Sequence, residues 1–310
     1  MERDSLIPLV IKQSVDHLNS GGVLQMLANW EVASEEETWA LRPTRWIEEA
    51  SEPLVKKGFS VNAWLVQRDL VDVSQYAQWW IKDAKGEQID HEEWDKEYRE
   101  WLQDFVKAGT KYVGLGSIAI RIDAGDGQKP DQVGASVGSN RRTSSHTELD
   151  HSGGIRNPFV HNISDEQHSD EGESFPATAR LDLVAEYLPE GPPADGIAVR
   201  TALDNLTVPG NWEDMPLIRA EDVREVRYFI PGSTDPELVR ITQGRPGGRD
   251  RTVSSPVAAL IGVSDGELTP AQVMPAIAML LDREESTVRN EIEVALPELL
   301  RSGVLHTPSK

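Results

Sequence analysis

The chain of 310 residues is long enough for two domains of ordinary size. Its 52 acidic and 31 basic residues give a formal net charge of −21, which repels phosphate backbones, so we predict no direct binding of nucleic acid. The absence of cysteine excludes disulfides, cysteine-ligated zinc and thiol nucleophiles. No apolar run approaches the ~18 residues of a membrane span, and the N-terminus lacks a basic signal segment, so we expect a cytoplasmic protein without a membrane partner.

Composition divides the chain into three regions. Residues 1–122 are rich in aromatic side chains, residues 123–178 are rich in Gly, Ser, Asp, Asn and His, and residues 179–310 return to periodic apolar patterning. We therefore predict an α/β domain over 1–122, a disordered or flexible insertion over 123–178 and a small α+β domain over 179–310.

The first region opens with a helix followed by a strand. Apolar residues recur at helical spacing at Ile7, Ile11, Val15 and Leu18. Gly21 and Gly22 then end the helix, and residues 23–27 form a short apolar strand. This pattern is typical of a late segment of a Rossmann-like α/β sheet, so we expect the early, nucleotide-binding strands of such a sheet to lie outside this sequence.

The remaining elements of residues 1–122 alternate between helices and strands. Helices are predicted over 39–57, 74–81 and 90–106, with Ser74 as the candidate N-cap of the second. Strands are predicted over 61–67 and 112–122. These two strands can pair antiparallel around the helices between them, which gives a partial Rossmann-like sheet with parallel late strands and an antiparallel edge.

The middle region carries histidines but no recognisable metal motif. Four histidines lie in it at spacings that suit no compact metal site: His146, His151, His161 and His168. The region also has too little apolar content to bury a core, which is the basis for predicting it to be flexible.

The third region predicts a winged-helix-like module. A strand over 179–185 and a hairpin over 226–230 and 237–241 precede two helices, one capped by Thr269 and one over 284–301. The last helix would be the recognition helix of a DNA reader, but it is rich in glutamate: Glu284, Glu285, Glu291, Glu293 and Glu298. Because this charge repels phosphates, we interpret the module as a packing domain.

No segment has the sequence of a phosphate-binding loop. Gly114 and Gly116 lie inside a predicted strand that no helix follows, and the turn over 244–248 lacks the Lys-Ser/Thr of a P-loop. The strongest candidates for a substrate site are Asn29, Trp30 and Glu31, because ligands of open α/β sheets bind beyond the carboxyl ends of the strands. This triplet could hydrogen-bond to and stack on a planar substrate; alternatively, Asn29 ends the strand and Trp30 is half-buried.

Residues 21–32, Gly-Gly-Val-Leu-Gln-Met-Leu-Ala-Asn-Trp-Glu-Val, resemble the fifth-strand segment of a group of actinobacterial class I S-adenosylmethionine-dependent methyltransferases. Residues 63–68 and 76–81 resemble the next strand and helix of that group. Residues 251–253 and 264–269 resemble its appended C-terminal domain.

The resemblance implies a seven-stranded Rossmann-like domain, a cofactor loop after its first strand and an Asn-Pro-Pro-aromatic motif that places the acceptor nitrogen. The corresponding positions of both motifs would precede this sequence. S-adenosylmethionine is therefore the expected cofactor of the complete family enzyme, and the chain alone is expected to bind none. Residues 157–159, Asn-Pro-Phe, lack one proline and a preceding buried strand, so we interpret them as unrelated to the motif.

Two functional hypotheses remain open. The chain is the substrate-side portion of a nitrogen-directed methyltransferase that is inactive alone, from a split, truncated or wrongly started gene, or it is a non-catalytic binding or regulatory module. The first hypothesis predicts the missing N-terminal half as a partner, and self-association through the unpaired strand at 23–27 without it. The DNA upstream of Met1 would discriminate between the two hypotheses.

Overall fold

A computed structural model describes residues 5–34, 38–85, 90–124, 159–162, 179–189 and 191–308. The chain divides into two compact units, Met1–Pro189 and Glu190–Lys310. Helices accompany a mixed sheet, so the α/β class predicted from the sequence is confirmed at this broad level. Within the described ranges, no helix is long and apolar enough to cross a membrane.

The first unit alternates between helices and strands, as its sequence pattern predicts. Its described helices are α1 (Leu6–Val15), α2 (Leu41–Lys56), α3 (Val73–Lys85) and α4 (His91–Ala108). Its described strands are β1 (Gly22–Val32), β2 (Phe59–Asp72), β3 (Tyr112–Ala124), β4 (Phe159–Asn162) and β5 (Leu181–Tyr187).

The five strands form one mixed sheet in the order β1-β3-β2-β5-β4. β3 runs antiparallel to both β1 and β2, β5 runs parallel to β2, and β4 runs antiparallel to β5. The predicted antiparallel pairing of β2 and β3 around a helical excursion is therefore confirmed. The position of β3 differs from the expected antiparallel edge, because β3 pairs on both sides and lies inside the sheet.

The division between the units comes after Pro189, later than the expected domain start at residue 179. β5 pairs with β2 over Val61–Gln67 and so belongs to the first sheet. The residues of β5 are buried from Leu181 to Glu186. A strand whose two faces are both buried usually lies between other strands of a sheet. The first sheet provides these neighbours for β5.

Most of the expected flexible insertion over 123–178 lies outside the described residues, including His146, His151, His168 and residues 157–158. Two described parts of it belong to the sheet. β3 continues to Ala124, and β4, which contains His161, pairs with β5. For these residues the expectation of disorder is corrected.

One face of the first sheet is covered by α1 and α2, and we call it the helix-covered face. Residues that alternate along the strands meet the two helices there, and they include Trp30, Ala63, Ile118, Ile120, Ile122 and Leu183. Ile11 and Val15 of α1 and Ile47 of α2 pack against them. Each fully buried isoleucine or valine contributes roughly 1.5–3 kcal/mol by leaving water.

Two glycines of β3 make room for Trp30 on this face. A Cβ added to Gly116 would lie 2.6 Å from Trp30 Cη2, and one added to Gly114 would lie 2.7 Å from Trp30 Cε2. The Gly116 Cβ would also overlap the carbonyl oxygen of Val66 on β2. The two glycines thus leave the space that Trp30 and β2 occupy within the sheet.

The N-terminus of α3 is capped by Asp72 and not by Ser74. Asp72 Oδ1 accepts hydrogen bonds from the backbone N–H groups of Ser74 at 2.9 Å and Gln75 at 3.1 Å. The Ser74 hydroxyl also donates to this oxygen, and that bond, followed by the Gln75 N–H, holds the pKa of Asp72 below its ordinary value. The Asp72 carboxylate is therefore the N-cap of α3, and its negative charge interacts favourably with the helix dipole.

The second unit contains four described helices and several short strands. The helices are α5 (Gly196–Asp204), α6 (Ser255–Val263), α7 (Pro270–Leu280) and α8 (Glu285–Arg301), and residues Trp212–Asp214 form a 3₁₀ turn. The strands are β6 (Ile218–Arg219), β7 (Val223–Tyr228), β8 (Leu238–Gln243), β9 (Arg251–Val253) and β10 (Leu305–His306).

The elements predicted for the third region fall where its pattern indicates. β7, β8 and β9 form an antiparallel sheet, and β6 pairs with β10. Thr269 precedes α7, and its backbone N–H donates to Gln272 Oε1 at 2.9 Å, which is half of a capping box. α8 continues through Pro297, and it packs its apolar side chains, among them Val288, Ile292 and Leu299, into the core of this unit.

We predict that Gly116→Ala lowers the free energy of unfolding by about 1–3 kcal/mol, because the added methyl group forces Trp30 or β2 to shift. Chemical denaturation measures the change. Gly262→Ala is the matched control, since nothing lies within 4 Å of its added Cβ and alanine favours the helix α6.

A double variant tests the contact between Gly114 and Trp30. Gly114→Ala combined with Trp30→Phe should cost less than the sum of the two single changes, since the smaller ring makes room for the methyl group. Strict additivity of the two losses would show that Trp30 and Gly114 do not constrain each other.

Candidate functional site

The three residues singled out from the sequence lie inside β1, near its carboxyl end at Val32. The expectation that they follow a strand ending at residue 27 is wrong, because β1 keeps pairing with β3 through Val32. Successive side chains of a strand point to opposite faces. Asn29 and Glu31 therefore share the face opposite to α1 and α2, whereas Trp30 lies on the helix-covered face. The structure brings Asn29 and Glu31 together and separates Trp30 from both.

Trp30 is fully buried in the core of the first unit. Its ring stacks on Trp39, with 5.9 Å between centroids and 25° between planes. Its Nε1–H donates a hydrogen bond to Gln67 Oε1 at 3.3 Å. Because Trp39 and the two β3 glycines cover the ring, no open face is left on which a planar substrate could stack.

Asn29 connects the end of β1 to α3. Its Nδ2–H donates a hydrogen bond to the Tyr76 hydroxyl oxygen at 2.6 Å. Trp80, one helical turn after Tyr76, lies beside the tyrosine ring, with 6.0 Å between the ring centroids. The Tyr76 hydroxyl thus accepts the Asn29 amide N–H next to an indole ring.

Tyr76 is held in its protonated form. Burial raises the pKa of the Tyr76 hydroxyl above its ordinary value of 10.0, and the negative charge of Glu31 acts in the same direction. The N–H groups of Trp80 and Asn29 oppose this effect on the pKa, but burial is the largest contribution. The neutral hydroxyl can therefore donate its proton to a hydrogen-bond acceptor on a ligand.

Glu31 is nearly buried, and its carboxylate is engaged by the protein. The hydroxyl of Thr110 donates a hydrogen bond to Glu31 Oε2, and a guanidinium nitrogen of Arg42 lies 3.8 Å from the same oxygen. A buried carboxylate requires such partners. Glu31 is thereby fixed in place as a hydrogen-bond acceptor beside Asn29.

An aromatic cluster surrounds Tyr76 on the opposite face. Its ring centroid lies 6.0 Å from that of Trp80, 6.2 Å from Trp101 and 6.1 Å from Phe105. Phe105 is buried, whereas Trp80 keeps 45% of its surface exposed. Trp80 is therefore the aromatic side chain of this site on which a planar group could stack.

The sequence contained a signal for this cluster. Tyr76 and Trp80 are four residues apart in a predicted helix, so they share one face of it. Their connection to Asn29 was not predictable, because it depends on how α3 crosses the end of β1.

An acidic groove of about 470 Å³ runs along α4 and adjoins the cluster at Trp101. It is lined by Glu93, Lys96, Glu97, Glu100, Trp101 and Asp104. This lining disfavours anionic ligands in the groove. In the described parts of the chain, no group of three or more His, Cys, Asp or Glu side chains is placed to hold a metal ion.

Comparison with known proteins gives no family for this chain: no family model, no curated protein and no solved structure matches it. The function of the site must therefore be inferred from its own geometry and from the resemblance carried by residues 21–32, 63–68 and 76–81.

We predict that the raised pKa of Tyr76 makes the fold sensitive to alkali. The folded state holds the phenolic proton more tightly than the unfolded chain, so this stabilisation is present below about pH 10 and is lost as pH rises through the folded pKa. Chemical denaturation at pH 8 and above pH 10 should show that the free energy of unfolding falls more steeply for the native chain than for Tyr76→Phe.

Tyr228→Phe, at an exposed tyrosine, is the matched control. Absorbance titration of the tyrosines should lose its most alkaline component in Tyr76→Phe. Equal alkaline slopes for the native chain and Tyr76→Phe would contradict the burial of a protonated hydroxyl.

Proposed function

We propose that this chain is the substrate-side portion of an S-adenosylmethionine-dependent methyltransferase that acts on a nitrogen acceptor. The observation that carries the proposal is the polar group at the carboxyl end of β1, in which Asn29 hydrogen-bonds to Tyr76 beside the exposed ring of Trp80. The resemblance of residues 21–32, 63–68 and 76–81 to such enzymes supports it. In this proposal the first unit is a partial Rossmann-like sheet.

The site offers what positioning of a nitrogen acceptor requires. Methyl transfer needs the nitrogen held with its lone pair directed at the methyl group, and neutral hydrogen-bonding groups do this without adding charge. Tyr76 can donate a proton to the acceptor molecule, and the amide of Asn29 orients the Tyr76 hydroxyl. Trp80 can support a planar amide or heterocycle by stacking.

The described residues do not fit the cofactor. Binding of its charged and ribose groups requires a glycine loop between a strand and a helix. The direct strand-to-helix junction of the first unit, from β2 into α3, is closed by Asp72, whose carboxylate already accepts the free N–H groups of the helix. We therefore assign this chain to the substrate side of the enzyme.

We assign the second unit as winged-helix-like and as a packing module. Helices α6, α7 and α8 accompany the hairpin of β7 and β8. Two charged side chains of α8 form ion pairs with other residues of the same unit. Glu298 pairs with Arg249 at 2.8 Å, and Arg289 pairs with Glu213. These pairs support a structural role for α8 over recognition of DNA.

A second candidate function is a non-catalytic binding module. The observation that favours it is an exposed apolar end of the β7–β8 hairpin, formed by Val226, Tyr228, Phe229 and Ile230. Exposed apolar side chains that adjoin one another are typical of protein-binding surfaces. Under this alternative the polar group at Asn29 has only a structural role.

We predict that the full chain alone does not bind S-adenosylmethionine, since its described junctions lack a cofactor loop. Isothermal calorimetry should give no binding heat. Stoichiometric binding at micromolar concentrations would overturn the assignment of this chain to the substrate side.

The catalytic proposal is tested by co-expression with the polypeptide encoded immediately upstream of Met1. If that polypeptide carries a glycine loop and an Asn-Pro-Pro-aromatic motif, the complex should transfer radiolabelled methyl groups to a cell extract. Tyr76→Phe and Trp80→Ala should lower the rate roughly 10-fold to 100-fold by misplacing the acceptor. Phe229→Ser is the control and should leave the rate unchanged. An unrelated upstream polypeptide, or transfer unaffected by Tyr76→Phe and Trp80→Ala, would favour the binding module.

A further inference from the structure

β1 forms one edge of the first sheet. It pairs with β3 along its whole length, from Gly22 to Val32, and among the described residues no other strand pairs with it. An edge strand presents backbone groups that can pair with another strand. β1 has 11 residues, which corresponds to about 36 Å of such an edge.

Over most of its length, the sequence of β1 lacks the charged residues and prolines with which proteins block sheet extension. Residues 22–30 contain no charged side chain and no proline. The register between β1 and β3 runs from Gly22↔Ile122 to Val32↔Tyr112 without a bulge. Over residues 22–30, β1 is therefore a regular, uncharged strand edge in a chain whose net charge is −21.

Apolar side chains near this edge are uncovered. Leu27 is 84% exposed on the opposite face, and Leu24 and Met26 are only partly buried although they belong to the helix-covered face. On α1, the helix that packs beside β1, Leu6 is 59% exposed and Leu9 is 49% exposed. Both layers of this end of the unit, strand and helix, thus leave apolar surface in water.

We propose that the β1 edge binds the β1 edge of a second copy of this chain, antiparallel and around a two-fold axis at Leu27. The inference does not use the methyltransferase proposal, and it concerns the chain by itself, because a missing half would pair with the same edge. It assigns β1 as a dimer interface that joins two five-stranded sheets into one continuous sheet.

This register uses the full length of the strand. With Leu27 opposite Leu27 of the second copy, Met26 lies opposite Ala28 and Leu24 lies opposite Trp30, so residues of the same face meet. The ends bring Gly22 opposite Val32. The two-fold axis is then perpendicular to the sheet, which places α1 of both copies on the same side.

Charge favours a second copy at this edge. In the proposed register the one acidic residue of β1, Glu31, lies opposite Val23, so no like charges face each other. In a two-fold pairing, the strand that faces β1 is another β1, so its residues 22–30 are uncharged as well. A strand of another protein could carry charges at these positions.

The size of the surface is that of a stable interface. A strand edge of about 36 Å with a helix layer above it, about 20 Å in combined height, gives a contact on the order of 700 Å² per copy. Stable interfaces bury about 800 Å² per partner.

Cysteine cross-linking tests the register directly, because the chain contains no cysteine of its own. Leu27→Cys should form a disulfide-linked dimer under mild oxidation, since opposed residues at the axis lie within the Cα separation of a disulfide. Ser117→Cys is the matched control, because Ser117 is opposite Leu27 on β3, one strand further from the axis. Cross-linking of Ser117→Cys as fast as Leu27→Cys would overturn the proposal.

Light scattering on the full-length chain tests the interface without cross-linking. The native chain should be a dimer, and Leu27→Lys should raise its dissociation constant about tenfold or more, because two lysines would then face each other at the axis. Val294→Lys, at an exposed position of α8, should leave the dimer unchanged. A monomeric native chain, or a dimer that Leu27→Lys leaves intact, would overturn the proposal.

Discussion

The packing of Trp30 against Gly114 and Gly116 is the contact on which the arrangement of the first unit depends. It holds β1 against β3 on the helix-covered face, where Trp39 and Gln67 complete the surroundings of the indole. Because strand side chains alternate, burying Trp30 on one face directs Asn29 and Glu31 to the other. A packing requirement in the core therefore determines which side chains the site can use.

Tyr76 joins this sheet to the aromatic helices that cover part of the opposite face. Its hydroxyl oxygen accepts a hydrogen bond from the Asn29 amide, and its ring contacts Trp101 and Phe105 of α4. The same burial that makes these contacts keeps the phenol protonated. Tyr76 therefore joins β1, α3 and α4, and Trp80 remains exposed beside it.

Much of the local structure was predictable because it follows from short-range patterns. Helices α2, α3 and α4, strands β2 and β3, and the Thr269 cap were each indicated by periodicity or by cap residues within a few positions. The cap at Asp72 was missed, because Asp72 and Ser74 are both good caps and only the strand end decides between them. The place of β5 in the first sheet was missed as well, since strand pairing joins residues far apart in sequence.

The sequence by itself determined the α/β character, the lack of disulfide and thiol chemistry, and the presence of a strand that begins near Val23. These properties depend on composition and on neighbouring residues. Only the tertiary structure decided that Trp30 belongs to the core, that Tyr76 and Trp80 stand beside Asn29, and that β3 lies inside the sheet with β1 at its edge. Each depends on contacts between distant segments, and their geometry is fixed by which side chains can pack together without leaving voids or overlaps.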